Sequence, residues 1–329
     1  MNRHELLTRR HILAGAAAAA AAGLIEIPAF AKAPLTNRPA PGFYRFKVGA
    51  FEATVVSDGP LTLGPPAGDV FKGVSKEELT QILANNFRPT DQVELEQNTL
   101  VVNTGRNLVL FDTGTGRTLK TFGPNAGHQL DNLKAAGIDP KAIDTVVLTH
   151  AHPDHCFGIM SASGKRNFPN AQIHIAQADL DFWTDEGKYA MGDIFKLMVG
   201  GARQNLLPNR DRIVFVKDGQ EVVPGIQAIA TPGHTVGHTA YVIASQGKTL
   251  VNAGDIAHHY VISVERPDIE FAYDTDGKQA VASRRRLFDM VASNRTPLLA
   301  YHFPWPGVGY LAKQGNSYRY VPEAMRTVL

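Results

Sequence analysis

Short hydrophobic runs separated by turn residues occupy most of the chain, a pattern typical of a protein with many β-strands. Residues 44–48 and 51–56 flank Gly49-Ala50 and predict a hairpin, and residues 94–103 and 108–111 predict a second one. Further strands are predicted at residues 145–148, 172–176, 213–216, 226–230, 240–244 and 250–252.

Helical patterns alternate with these strands. Ser75 opens a capping-box-like pattern that predicts a helix to about residue 86, and a second helix is predicted from about residue 125 to 136, ending at Gly137. Further helical segments are predicted at residues 178–184, 185–208 and 281–291. In the last of these, Arg284-Arg285-Arg286 predicts a solvated basic face. The order of strand, helix and strand is typical of an α/β fold.

Two segments lack a regular pattern. Residues 61–72 are rich in glycine and proline and predict a loop long enough to cover another part of the molecule. Residues 33–41 are rich in proline and predict an extended arm, which is a candidate contact with a second copy in a homodimer.

Residues 1–31 have the features of an export signal. Arg9-Arg10 precede an apolar segment that includes residues 16–22, and Ala29-Phe30-Ala31 offers a small-x-small cleavage site. Paired arginines ahead of such a segment resemble the bacterial twin-arginine signal, which implies a periplasmic or secreted protein. We therefore predict one folded domain over residues 32–329 after removal of the signal.

Composition and charge limit the kinds of partner that we expect this protein to bind. Glu26 and Pro28 interrupt the N-terminal apolar stretch, which argues against stable membrane insertion after cleavage. The chain has 44% hydrophobic and 19% charged residues, as is ordinary for a soluble globular protein. Its formal charge is +2, and removal of three arginines and two glutamates with the signal leaves +1. A nearly neutral protein has no electrostatic basis for binding nucleic acid, so we expect a small-molecule substrate.

A dense set of potential metal ligands follows the predicted strand 145–148. His150, His152, Asp154 and His155 fall within six residues of sequence. Loops at strand ends are where rigid scaffolds place functional groups, and imidazole and carboxylate both suit a divalent ion such as zinc. A surface loop that happens to be rich in histidine is the alternative, which three histidines and an aspartate after a buried strand disfavour.

Three later residues complete this set. His234 lies in a glycine-bounded turn between two predicted strands, Asp255 follows the strand at 250–252, and His302 follows an apolar run. Each lies at a junction of strand and loop, as His150 does. The five histidines and two aspartates match two adjacent metal ions better than one.

Cys156 follows His155 directly and is the one cysteine of the chain, so an internal disulfide is excluded. We predict a buried thiol, and an influence on metal preference is the alternative.

Together with Asp112, the HxHxDH motif at 150–155 and the three later residues resemble the metallo-β-lactamase superfamily in content and in order, over about residues 44–310. Within it, segments 41–45, 182–183 and 302–309 look most like the methyl parathion hydrolase-like branch. The resemblance implies an α/β protein with an αβ/βα four-layer sandwich and metals at one edge. Asp255 in place of serine or cysteine argues against a true β-lactamase.

The resemblance also implies roles for individual residues. One metal would be held by His150, His152 and His234, the other by Asp154, His155 and His302, and both by Asp255. Asp112 would hold a ligand loop or fix a histidine tautomer. His238 has no ligand counterpart in the family pattern and is predicted to support the turn at His234 by hydrogen bonding. His258 and His259 receive no ligand role.

The implied chemistry is hydrolysis with two divalent ions, zinc being favoured. A hydroxide that bridges the ions would be the nucleophile, with Asp255 holding the pair and Asp154 able to pass a proton to the leaving group. The chain agrees in lacking a G-x-S-x-G nucleophile elbow.

Aromatic residues near the motifs predict an apolar substrate pocket, with packing in the core as the alternative for each. They are Phe122, Phe182, Trp183, Phe195, Tyr260, Phe271, Tyr273 and Trp305. Such a pocket suits neutral esters, lactones or organophosphate triesters, with lactone opening preferred. The alternatives are a glyoxalase II-like thioesterase and a non-catalytic or redox metal-binding protein on the same fold.

Overall fold

Strands that carry buried apolar residues on both faces explain why the chain forms layers. In the strand Asn98–Asn103, Leu100 and Val102 pack into one hydrophobic cluster and Val101 packs into another. Successive strand residues point to opposite faces, so this strand needs apolar cover on both sides.

The computed structural model describes residues 33, 35–37, 39–116 and 123–329. The predicted export segment, parts of the proline-rich lead and Phe122 lie outside the described residues. The chain divides into a segment up to Ala40 and a unit from Pro41 to Leu329. No helix of the described residues is both long and apolar enough to cross a bilayer.

Eighteen strands and seven α-helices are found among the described residues. The strands are β1 Phe43–Val48, β2 Phe51–Ser57, β3 Leu61–Gly64, β4 Phe71–Lys72, β5 Val93–Leu95, β6 Asn98–Asn103, β7 Leu108–Phe111, β8 Thr145–Val147, β9 Gln172–Ala176, β10 Ile213–Val216, β11 Glu221–Val223, β12 Ile226–Ala230, β13 Thr239–Ser245, β14 Lys248–Asn252, β15 Glu270–Phe271, β16 Leu298–Leu299, β17 Val308–Gln314 and β18 Ser317–Pro322. The helices are α1 Lys76–Asn85, α2 Gln129–Ala135, α3 Pro153–Cys156, α4 Gln177–Thr184, α5 Asp193–Leu206, α6 Ile262–Glu265 and α7 Gly277–Asn294. Short 3₁₀ turns lie at Pro140–Ala142, Glu186–Met191 and Leu207–Arg212.

Two seven-stranded sheets form the centre of the molecule. Their orders are β1-β2-β6-β7-β8-β9-β10 and β11-β12-β13-β14-β16-β17-β18. One cluster, which includes Phe111 and Tyr241, fills the space between the sheets. A second cluster joins the first sheet to α2, α4 and α5, and a third joins the second sheet to α7. These layers are the predicted αβ/βα sandwich, which the structure confirms.

A fourth, smaller cluster lies outside the two sheets and corrects one prediction. The segment predicted as a loop at 61–72 contains β3 and β4, which pair with β5 and β15 in two small sheets. These pairings join segments far apart in sequence, so local turn residues gave no sign of them. For the same reason the strand predicted at 94–103 is two strands, because β5 pairs with β3 whereas β6 pairs with β2 and β7.

The basic run on α7 is a second correction. Arg285 and Arg286 lie at or near the surface, but Arg284 is only 1% exposed. Its guanidinium donates hydrogen bonds to the carbonyls of Ile256, Pro267 and Ile269. Three consecutive helix positions cover most of the helix circumference, so one member of such a run can face the interior and lie buried.

Candidate metal centre

Ends of strands in both sheets bring the seven predicted ligands together. β8 leads to His150 and His152, and α3 then presents Asp154 and His155. From the second sheet, the turn between β12 and β13 carries His234, and two further ligands follow β14 and β16. Pro153 at the first position of α3 has no N–H to satisfy, which suits this short helix.

The seven side chains form two adjoining groups. The ligand atoms of His150, His152 and His234 lie within 4.8 Å of one another. Those of the second group, Asp154, His155, Asp255 and His302, lie equally close together.

Asp255 joins the two groups. Its Oδ2 lies 3.1 Å from Nε2 of His302, 3.3 Å from Nε2 of His155 and 3.5 Å from Nε2 of His234. The distance to Nε2 of His150 is 3.9 Å. One carboxylate oxygen therefore faces imidazoles of both groups, as a residue shared by two ions would.

Buried polar atoms without partners show that the site fits a cation. Among the described residues, Nε2 of His150, His152 and His155 and Oδ1 of Asp255 are buried and have no hydrogen-bond partner. Nδ1 of His152 lies 2.9 Å from Nε2 of His234, where two lone pairs would repel each other unless a proton or cation lay between them. Each unsatisfied buried polar group costs about 1–3 kcal/mol, and metal coordination would remove that cost.

The electrostatics favour positive charge at Asp255. Burial lowers the pKa of His150 and of His152 well below the usual value, and neighbouring imidazoles lower it further, so both rings are neutral and keep lone pairs for a metal. Burial acts in the same direction on His155, but the carboxylates of Asp255, Asp154 and Asp112 outweigh it and raise the pKa of His155 well above its usual value. Two divalent ions would supply the positive charge that these carboxylates favour.

Oxygen acceptors outside the site orient three of the imidazoles. Nδ1 of His155 donates to Oδ2 of Asp112 at 3.0 Å, and Nδ1 of His234 donates to Oδ1 of Asp274 at 2.8 Å. Nδ1 of His302 donates to the carbonyl of Glu96 at 2.8 Å. Each bond places a proton on Nδ1, so Nε2 is the ring nitrogen that faces the site and would bind a metal.

Asp112 and His238 also hold ligand loops. Asp112 accepts hydrogen bonds from the backbone N–H and the hydroxyl of Thr149, directly before His150. His238 contacts the hydroxyl of Thr231 in its own turn at 2.8 Å, and its Nε2 accepts a hydrogen bond from the N–H of Asp255 at 2.9 Å. His238 was predicted to support only the turn at His234. Its bond to the N–H of Asp255 links that turn to a second ligand loop.

Sequence reasoning missed three residues with buried side chains at this site. Asp274 orients His234, and Asp179 accepts hydrogen bonds from two ligand loops. His258 received no ligand role, yet its Nε2 lies 3.5 Å from Oδ2 of Asp255 and neither ring nitrogen has a hydrogen-bond partner among the described residues. One feature of the sequence indicated that His258 lies at the site, namely its position three residues after Asp255.

Cys156 is a buried thiol that packs in the hydrophobic cluster between the first sheet and its helices. Its Sγ donates to the carbonyl of Ala151 at 3.4 Å, and burial raises the pKa of the thiol well above its usual value. An influence of Cys156 on metal preference stays a prediction.

A cavity opens onto the ligand groups. Its polar floor includes Asp154, Asp255 and His258, and its walls are formed by Leu61, Leu63, Leu95, Met198, Phe271 and Tyr273. No lysine or arginine lines it in the described part of the chain. The ring of His258 stacks on that of Phe271 with 3.7 Å between centroids.

Of the predicted pocket aromatics that the structure describes, Phe271 and Tyr273 line this cavity and the others do not. Trp183 is buried with its ring against His152 at 4.7 Å, and Phe195 stacks behind it. The remaining described aromatics of the prediction, Phe182, Tyr260 and Trp305, pack against the hydrophobic clusters of the sandwich. These rings were chosen by their distance from the motifs in sequence, which does not show the side of an element they occupy.

Comparisons with known proteins agree with this geometry. The family model described as "Metallo-beta-lactamase superfamily" matches residues 93–302. An N-acyl homoserine lactonase of Bacillus cereus is 28% identical over 163 residues, which are 50% of this chain and 57% of that protein. An atrochrysone carboxyl ACP thioesterase of Passalora fulva is 28% identical over 63% of this chain and 51% of its own length. The chain thus spans little more than half the length of these relatives.

Solved structures match over nearly their full length. The dizinc quorum-quenching lactonase AidC, in complex with a product, has a TM-score of 0.82 and 28% identity over 87% of this chain and 99% of its own. The hydrolase AbOPH of the β-lactamase superfamily has a TM-score of 0.80 and 31% identity over 88% of this chain and 100% of its own.

Proposed function

Because the chain belongs to the metallo-β-lactamase superfamily, we propose that it is a dinuclear metal-dependent hydrolase that opens neutral, fairly apolar lactones, with zinc as its metal. The observation that carries the proposal is the position of Asp255, whose Oδ2 faces imidazoles of both ligand groups. Two zinc ions, when bound, polarise a substrate carbonyl and activate water at neutral pH.

The ligand residues divide the remaining work. Asp255 keeps the two groups together, and His150 and His152 direct neutral nitrogens inward. Asp154 has 11% of its side chain exposed and lines the cavity. His155 and His302 outweigh the effect of burial and lower the pKa of Asp154, so it is a carboxylate that can take a proton from the attacking water and pass it to the leaving oxygen.

The cavity supports a neutral substrate with an apolar portion. Its walls of leucine, methionine and aromatic side chains suit an acyl or aryl group, and about 0.8 kcal/mol is gained for each CH₂ buried there. Among the described residues, no basic side chain lines the cavity to hold the carboxylates of a glutathione thioester. The lactonase relative and the AidC structure support lactones as the substrate class.

We also propose three further substrate classes, which rank below lactones. Likeness to an ACP thioesterase favours thioester hydrolysis as a second candidate. Organophosphate triesters and aryl esters are proposed as side substrates because two metal ions, when bound, would also polarise a phosphoryl or ester oxygen. A non-catalytic or redox role is the outcome if none of these is hydrolysed.

A substrate panel tests the proposal. The zinc-loaded protein is assayed with N-acyl homoserine lactones, a simple lactone, an aryl ester, an acyl thioester and a paraoxon-type triester. The Asp255→Ala variant should lose activity by several orders of magnitude, whereas Asp193→Ala, at a fully exposed carboxylate, should not. Turnover of none of the substrates, or equal turnover by Asp255→Ala, would contradict a metallo-hydrolase.

We also propose that the protein is exported by the twin-arginine route, on the sequence of residues 1–31 alone. Replacement of Arg9 and Arg10 by lysine should keep the full-length chain in the cytoplasm of a bacterial host. Unchanged export of that variant would contradict the proposal.

A further inference from the structure

Asp179 of α4 contacts the two loops that carry the first ligand group, the one made by His150, His152 and His234. Its side chain is 0% exposed. Oδ2 accepts a hydrogen bond from the N–H of Ala151 at 2.7 Å, and Oδ1 accepts one from the N–H of Gly237 at 2.9 Å.

These two N–H groups sit directly beside the ligands. Ala151 lies between His150 and His152, and Gly237 lies three residues after His234. The first loop follows β8 of one sheet and the second lies between β12 and β13 of the other, so no hydrogen-bond ladder within a sheet sets their separation. One further direct link is the hydrogen bond from the N–H of Thr239 to the carbonyl of Thr149.

Gly237 is required for the approach of α4. A Cβ at this position would lie 2.8 Å from both Cβ and the backbone nitrogen of Asp179, closer than real Cβ contacts allow. The absence of a side chain therefore lets the carboxylate reach both loops at once.

Asp179 has no comparable contact with the second group. Its two oxygens bond beside His150, His152 and His234, whereas Asp154, His155 and His302 are held by other residues, among them Asp112 and the carbonyl of Glu96. Replacement of Asp179 should therefore change metal binding at the first ligand group and not at the second.

We propose that Asp179 is a positioning residue that sets the spacing of His150, His152 and His234 and thereby the affinity of that one metal position. This inference rests on the proposed two-metal site. Groups that orient metal ligands typically change metal affinity about 10- to 100-fold, and we expect an effect in that range here.

The Asp179→Asn variant tests it. An amide keeps the shape and one acceptor but points an NH₂ group at a backbone N–H, so one of the two bonds is lost. Zinc dissociation constants are measured on the full chain by competition with a chelator. We expect about a 10-fold or greater weakening of one of the two zinc ions and no change in the other.

Asp58→Asn is the matched control. Asp58 is also a buried carboxylate with one oxygen bonded to each of two backbone N–H groups, those of Thr115 and Gln129, and it contacts none of the proposed ligands. We expect this variant to lose stability and to keep both zinc affinities.

Double variants assign the weakened position. His234→Ala removes a ligand of the first group and His302→Ala one of the second. Adding Asp179→Asn to His234→Ala should change zinc binding little, whereas adding it to His302→Ala should weaken the remaining zinc about 10-fold or more. If Asp179→Asn does not fold, Gly237→Ala gives the same test, since its Cβ displaces α4.

The outcomes separate this inference from the proposed function. Equal loss of both zinc ions, or zinc affinities like those of Asp58→Asn, would overturn the role of Asp179. A wild-type protein that binds two zinc ions but hydrolyses no substrate would refute the proposed function and leave the role of Asp179 standing. A wild-type protein that binds no zinc would overturn both.

Discussion

Nε2 of His238 accepts a hydrogen bond from the backbone N–H of Asp255 at 2.9 Å. An N–H can only donate, so this ring nitrogen must carry the lone pair and Nδ1 must carry the proton, which it donates to Thr231. The bond joins the turn after β12 to the loop after β14, and it fixes the backbone of the carboxylate that both ligand groups share.

Replacement of His238 should therefore reduce activity although His238 is not a proposed ligand. His238→Phe keeps an aromatic ring but has no acceptor for the N–H of Asp255. We expect kcat/KM for a lactone to fall about 10- to 100-fold together with zinc content. Thr231→Val, which removes the hydroxyl beside Nδ1 but keeps the Thr231 carbonyl as an acceptor, should have a smaller effect. Full activity of His238→Phe would contradict the role given to this bond.

Asp274 should control metal binding through His234. Asp274→Asn weakens the acceptor for Nδ1 of His234, and we expect zinc affinity to fall about 10- to 100-fold. Asp276→Asn is a close control, because Asp276 caps α7 and contacts no ligand. A chelator titration of both variants checks the prediction, which fails if the two behave alike.

His259 should make the stability of the fold depend on pH. Its Nδ1 accepts hydrogen bonds from the N–H groups of Val261 and Ile262, and burial lowers the pKa of His259 to about 3. The folded pKa lies below the unfolded value of about 6.5, so the unfolded state takes up the proton first as pH falls. The contribution is complete above about pH 6.5 and decreases towards pH 3, with a loss of about 2 kcal/mol at pH 5.

Urea unfolding of the wild type and of His259→Asn measures this effect. The asparagine places an oxygen near the position of Nδ1 and does not titrate in this range. The difference in free energy of unfolding between the two proteins should therefore change by about 2 kcal/mol between pH 7.5 and pH 5. A constant difference would mean that His259 can be protonated in the folded state.

Replacement of Arg284 should destabilise the fold far more than replacement of its neighbour Arg285. Arg284→Met leaves three buried carbonyls without their donor and should lower the free energy of unfolding by about 3 kcal/mol or more. Arg285→Met, near the surface of the same helix, should change it by about 0.5 kcal/mol or less. Thermal and urea unfolding compare the two, and equal effects would contradict the buried network.

Leu63 should contribute more to the hydrolysis of lactones with long acyl chains than of those with short ones. It lines the cavity wall and is only partly buried at the edge of the fourth cluster, so we expect Leu63→Ser to keep the fold. We expect a larger loss of kcat/KM for N-decanoyl than for N-butanoyl homoserine lactone, by about 10-fold, because apolar contact with the chain is lost. Equal losses for both would place the acyl chain elsewhere, and Leu35→Ser at an exposed leucine is the control.

Local sequence predicted much of the sandwich. The apolar runs at residues 172–176, 213–216 and 226–230 are strands with the predicted bounds. Such runs are bounded by their own turn residues, so neighbours in sequence suffice to define them. β3, β4 and β15 were not predicted, because a strand of two to four residues forms only when it pairs with another strand.

The residue types and order of the seven proposed ligands were likewise set by sequence, because metal coordination demands imidazole and carboxylate at the ends of strands. Their convergence on Asp255, the acceptors on Asp112 and Asp274, and the link made by Asp179 arise only in the folded chain. Arg284 shows the same division, since its charge is visible in sequence but its burial depends on carbonyls 15 to 28 residues away. A side chain's chemistry belongs to its own position, whereas its partners depend on elements that meet only through packing between layers.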